Sequence, residues 1–208
     1  MTSPFGQILK TGLQSQTGSG ANRTLMDGHH LILGELDDLI TGERIKDTHD
    51  ERYRQKLARL LVDTKGYLKS DIEPRKSLLV QAGDNRAIIK IDFLISLSDR
   101  LCMIINYGPG SLVTRHRSVL AASRVVAPYQ IPVAVVTNGE DAEILEGSSS
   151  KVLSRGLDTI PSKTELNKMA AGFKFSKIQS ERAAMESRIL YCYEVDDSCP
   201  CDEDICVL

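Results

Sequence analysis

Two isoleucine-rich runs, parted by a three-residue polar break, constrain the fold of this chain more than any other feature. The first is Ala87-Ile88-Ile89-Lys90-Ile91-Asp92-Phe93-Leu94-Ile95-Ser96-Leu97. The break is Ser98-Asp99-Arg100, and the second run is Leu101-Cys102-Met103-Ile104-Ile105-Asn106-Tyr107. Both are too short to span a bilayer and rich in β-branched residues, so they read as buried strands. A carboxylate inside such a run is costly unless it is paired, hydrogen-bonded or bound to metal. Asp92 is therefore the first residue to explain.

The strands extend into a larger pattern. Ser77-Leu78-Leu79-Val80-Gln81 reads as a strand, and the turn signal Ala82-Gly83-Asp84-Asn85 pairs it with the first run as a hairpin. Gly108-Pro109-Gly110 ends the second run. Ser111 is placed to cap a helix over 112–126. Pro128 and Pro132 bracket a crossover into the apolar strand Ile131-Pro132-Val133-Ala134-Val135-Val136-Thr137. Strand, helix, strand in this order predicts a parallel, right-handed βαβ unit. After the turn at Asn138-Gly139, Ala142-Glu143-Ile144-Leu145 reads as a closing strand, and the Ser148-Ser149-Ser150 run marks the expected end of the core.

Upstream, residues 48–65 form the clearest helix, with Asp47 or Thr48 as cap and Gly66 as terminator. Tyr53, Leu57, Leu60 and Leu61 share one face; Arg52, Arg54, Lys56 and Arg59 fall opposite. That charged side reads as solvated, or with Glu51 and Arg54 aimed at Asp92. The Leu- and Ile-rich stretch over 25–40 reads as a short helix, and adjacent His29 and His30 diverge too far to share a metal ion. Residues 164–191 read as helical with a break at Gly172, Ser162 and Ser176 being candidate caps. The expected division is a flexible N-terminus and helical lead-in over 1–47, a core over 48–160, and a C-terminal helical arm with a Cys-rich tail over 161–208.

Composition narrows the function. The 208 residues carry a formal net charge of -2, so nucleic-acid binding has to rest on a local patch. Aromatics make up 5% and Trp is absent, which argues against a stacking platform for single strands. Nothing at the N-terminus reads as a leader and no stretch reaches spanning length, so the expectation is a soluble cytoplasmic protein with no membrane partner. Arg115, Arg117 and Arg124 give the helix over 112–126 a basic side, which reads equally as a phosphate contact or a solvated face. Cys192, Cys199, Cys201 and Cys206 lack the C-x2-C knuckle of zinc sites, and Asp202, Glu203 and Asp204 oppose thiolate formation beside them. Zinc or an iron–sulfur cluster is accordingly not expected there, and no resident cofactor is expected elsewhere.

The order helix, hairpin with Asp, strand, helix, strand resembles the restriction-endonuclease-like α/β fold, a central mixed sheet flanked by helices. More narrowly, residues 50–146 resemble the N-terminal nuclease domain of type I restriction enzyme R subunits, of the PD-(D/E)xK superfamily. Glu51-Arg52-Tyr53-Arg54-Gln55-Lys56-Leu57 is similar to that family's opening helix, Lys65-Gly66-Tyr67 to the turn leaving it, and Ile91-Asp92-Phe93-Leu94-Ile95 to its metal-binding strand. Pro132-Val133-Ala134-Val135-Val136-Thr137-Asn138-Gly139 is similar to its strand and turn after the crossover helix. The resemblance implies an Asp followed by Glu-x-Lys on the next strand, two carboxylates holding Mg²⁺. Here Ile104 stands for the Glu and Asn106 for the Lys. A branched alkane ligates nothing and an amide carries no charge. Rescue would need Glu51 or Glu73 as second carboxylate and Lys90 or Arg115 as cation. The resemblance therefore implies a stand-alone, catalytically degenerate relative that associates with nucleic acid. Asp92 becomes a structural carboxylate, hydrogen-bonded to a helix end or paired with an Arg. The alternatives are an active Mg-dependent endonuclease whose site has migrated, and a regulatory scaffold that meets a protein partner or a second copy through the C-terminal arm.

Overall fold

The computed structural model describes residues 32–196 and 205–208. The described residues open on a hairpin of β1 (Gly34–Asp37) and β2 (Arg44–Asp47), which replaces the latter part of the helix expected over 25–40; its residues 25–31 lie outside the described residues. Turn chemistry overrides the apolar spacing there. Asp38 Oδ1 accepts hydrogen bonds from the amides of Ile40 and Thr41 at 2.9 and 2.7 Å, and Gly42 takes a φ of +74°. His29 and His30 lie outside the described residues.

Helix α1 (His49–Arg59) begins as its sequence dictates. Thr48 is extended and its hydroxyl accepts the Glu51 amide at 3.1 Å, with Asp50 and Glu51 in the positive first turn. The helix runs on through a π turn (Leu60–Thr64) and stops at Gly66, φ +75°. Leu57, Ala58 and Leu61 are buried on its inner face.

The central sheet holds β3 (Ile72–Ala82), β4 (Asn85–Leu97), β5 (Arg100–Tyr107), β6 (Val133–Thr137), β7 (Ala142–Glu146) and β8 (Val152–Arg155), in that spatial order. A short β9 (Cys206–Val207) pairs with β4 through Ala87↔Val207 and Ile88↔Cys206. The sheet is mixed: β5 and β6 are parallel, and the other neighbours antiparallel. The crossover between β5 and β6 is α2 (His116–Val125). The β4–β5 turn places Ser98 and Asp99 at φ +48° and +62°, the double left-handed geometry of a tight hairpin.

Two apolar layers sandwich the sheet. On one face Val119, Leu120 and Ala122 of α2 and Leu190 of α4 (Ser180–Leu190) pack on Ile91, Ile104, Ala134 and Val136. On the other, Leu57 and Leu61 of α1 and Leu166 of α3 (Lys163–Ala170) pack on Phe93, Ile95, Ile105 and Val135. The fold is α/β, a mixed sheet of seven strands flanked by helices.

Other expectations are corrected. Ser111 does not cap α2 with its side chain. Its carbonyl accepts the Thr114 hydroxyl, and the chain enters through a 3-10 turn (Val113–Arg115). The core does not close at Ser150: β8 extends the sheet, and Ile160 and Leu166 are fully buried. Ser162 caps α3 in a capping box with Glu165, whereas Ser176 accepts the Gln130 amide through its carbonyl and caps nothing. The C-terminal helices belong to the two apolar layers, and no described helix is long and apolar enough to cross a membrane.

Candidate functional site

β4 reverses its faces at Asp92. Ala87, Ile89 and Ile91 enter the first apolar layer, yet Phe93, Ile95 and Leu97, of the same parity, enter the second. A strand alternates strictly, so it must roll over between Ile91 and Phe93. The registered pairs Pro74↔Phe93 and Lys76↔Ile91 leave Arg75 opposite Asp92, and Arg75 holds a φ of +49°. A non-glycine residue there is strained and needs support from its surroundings.

The support is a charge network. Arg54 Nε donates to Asp92 Oδ1 at 2.5 Å, and the Tyr107 amide donates to Asp92 Oδ2 at 2.7 Å. Both Asp92 oxygens are therefore engaged from within the fold. Arg54 lies also 3.7 Å from Glu51, and Arg75 bridges Asp38 at 2.8 Å and Glu51 at 3.6 Å. Gln55 Nε2 donates to both Asp38 and Glu51. Burial would raise the Asp38 carboxyl, but hydrogen bonds from Arg75, Thr41 and Gln55 prevail and hold it at about 2. For Glu51 burial prevails instead, and its carboxyl is raised despite Gln55, Arg54 and Arg75.

Tyr107 joins this network to the surface. Its ring stacks on Tyr53 with centroids 5.7 Å apart, the Arg54 guanidinium lies 5.5 Å over it, and its hydroxyl donates to Asp50 at 2.9 Å. Burial, then Asp50, raises that phenol. Tyr53 in turn lies on Gly139, where an added Cβ would come within 2.3 Å of the ring. The Thr137-Asn138-Gly139 turn is thus needed both for its φ of +87° and for room.

The predicted site residues divide. Glu51, Lys90, Asp92 and Asn106 come together around Arg54, the last three lining a cavity of about 80 Å³ that Glu194 and Ile205 close. Asn106 Oδ1 is buried without a hydrogen-bond partner among the described residues. Ile104 is fully buried in the layer under α2. Glu73 is exposed and pairs with Lys76, away from the site. These donors do not fit the implied magnesium. Its would-be ligand Asp92 faces a guanidinium, Glu51 faces two, and Ile104 offers no atom to bind. Among the described residues no three of His, Cys, Asp and Glu gather as metal ligands.

The basic trio on α2 does not form one surface. Arg124 is buried and the Arg117 side chain is 38% exposed, and both pair with Glu186 on α4, at 3.1 and 2.8 Å, so each is committed to an acidic partner. Burial lowers the Arg124 guanidinium while Glu186 opposes the shift. Arg115 is half-buried over Gly108, one residue beyond Tyr107, donates to the Pro109 carbonyl at 3.3 Å, and forms no ion pair among the described residues. Of the cysteine cluster, Cys192 and Cys206 are exposed free thiols, and Cys199 and Cys201 lie outside the described residues.

Sequence reasoning missed Asp38, Gln55 and Arg75. Asp38 sat in a stretch read as helix, and nothing local announces that it meets a residue 37 positions on.

Residues 49–161 match the family model described as the type I restriction enzyme R protein N terminus. No curated protein and no solved structure gives a match.

Proposed function

The chain belongs to the type I restriction enzyme R protein N-terminus family, and from that premise we propose that it binds nucleic acid without cutting it. The observation that carries this reading is the Arg54–Asp92 pair. A guanidinium occupies the ground that a divalent cation would need, and the family's second carboxylate and lysine are Ile104 and Asn106. An ion pair on the would-be metal ligand supports association with nucleic acid over Lewis-acid cleavage. Arg115, at the end of the 3-10 turn before α2, is the phosphate contact of this reading, since unlike Arg117 and Arg124 it has no acidic partner among the described residues and stays beside Tyr107.

Fluorescence anisotropy on short duplex and single-stranded DNA over a salt series, with and without Mg²⁺, tests it, the same samples being run on a gel. Binding that weakens with salt, and DNA that stays intact, is the expected result. Mg²⁺-dependent cleavage abolished in Asp92→Ala would replace this reading with a working endonuclease. Absence of binding at low salt would replace it with a protein-interaction scaffold.

A further inference from the structure

A second, larger cavity of about 280 Å³ lies on the other side of Tyr107, between the end of α1 and the Asn138-Gly139 turn. Leu57, Leu60 and Leu157 give it apolar walls, and the stacked rings of Tyr53 and Tyr107 form another. Its size is at the small end of ligand pockets, right for one heteroaromatic ring system and too small for a peptide segment. Lys56, Arg59 and one carboxylate, Asp63, line the same cavity; all three are exposed, the two cations outnumber the carboxylate, and neither cation makes an ion pair among the described residues. An apolar slot with π surface on one wall and two uncommitted cations beside it has the complement of a nucleobase with flanking phosphates.

We propose that this pocket takes one base of a single-stranded nucleic-acid segment, with Lys56 and Arg59 on the adjoining phosphates. The assignment rests on the nucleic-acid reading above and adds to Arg115 a second basic surface on the outer side of α1, while Arg117 and Arg124 stay committed to Glu186. It also joins the pocket to the Asp92 network through one residue: the Tyr107 ring walls the pocket while its amide holds Asp92.

The test uses the full chain and three single-stranded DNA oligonucleotides of one length: one carrying a single 2-aminopurine, one unmodified, and one abasic throughout. The absence of Trp leaves the 2-aminopurine signal without a protein background. Binding is expected to change 2-aminopurine emission, and the all-abasic control strand is expected to bind about tenfold more weakly than the intact one. Lys56→Gln with Arg59→Gln, both at exposed positions, is expected to lower the log–log salt slope by about 1.4, the value for two single-strand phosphate contacts. Thr64→Phe, which adds a ring at the exposed rim, is expected to abolish the emission change while the melting temperature holds. A strand that binds with unchanged emission, and as tightly when abasic, overturns the pocket but leaves nucleic-acid binding standing. No binding by any strand overturns both. Free 2-aminopurine riboside monophosphate bound as tightly as the strand would make this a mononucleotide site and overturn the strand assignment.

Discussion

Replacing Asp92 with Ala separates a structural carboxylate from a catalytic one. A carboxylate held ready for a metal is destabilising in the metal-free protein, so its removal leaves stability unchanged or raises it. Asp92 is placed differently. Its side chain is 10% exposed and its partner Arg54 20% exposed, so solvent compensates little when one is lost. Stranding one member of a buried pair costs about 3–5 kcal/mol. Arg54 retains Glu51 at 3.7 Å, which puts this component near the low end. The buried Tyr107 amide loses its acceptor as well, worth a further ~1 kcal/mol. The sum is roughly 4 kcal/mol, or about 12 °C in Tm for a chain of this size. Urea unfolding followed by far-UV circular dichroism, without divalent metal, reads it. Asp92→Asn, which keeps an acceptor, is expected to lose less. An Asp92→Ala protein as stable as the parent, or more so, would refute the structural assignment and with it the argument that the ion pair replaces the metal.

Three further outcomes are expected. Asp38, held at about 2 against an ordinary 3.8, contributes stability that is fully present above the ordinary value and is lost as pH falls toward 2. Asp38→Asn should therefore cost roughly 1–2 kcal/mol at pH 7, solvent screening included, and its stability curve should meet the parent's in strong acid. Glu186 is fully buried among Arg117, Arg124 and Arg182, so Glu186→Gln should cost about 3 kcal/mol in urea unfolding. Deleting residues 205–208 removes β9 and the Ile205 wall of the small cavity; amide exchange at Ala87 and Ile88 is expected to accelerate while β5 and β6 stay protected.

The sheet was legible because its signals are local. Short isoleucine-rich runs, the Gly83-Asp84 and Ser98-Asp99 turns and the Thr48 cap each act within a few residues, and β4, β5, α2 and β6 fall where those signals put them. The N-terminal hairpin was not legible, because Asp38 organises its turn with side-chain bonds that compete with a helical apolar pattern of equal length. Nor was the end of the core, since β8 has only four residues and its pairing with β7 is what makes it a strand.

The candidate site divides in the same way. From residue types alone, Asp92 had to be compensated, Ile104 could ligate nothing, and Glu51 and Arg54 shared a turn near the strand. Tertiary structure decided which cation compensates Asp92, that Arg75 and Asp38 complete the network, and that Arg117 and Arg124 pair with Glu186. The physical reason is that helix and strand periodicity is set by bonds a few residues apart. The partner of a buried charge is set by which segments the fold brings within about 4 Å, where charge pairing is strong enough to decide. Arg54 meets Asp92 across 38 positions of chain, and Arg124 meets Glu186 across 62.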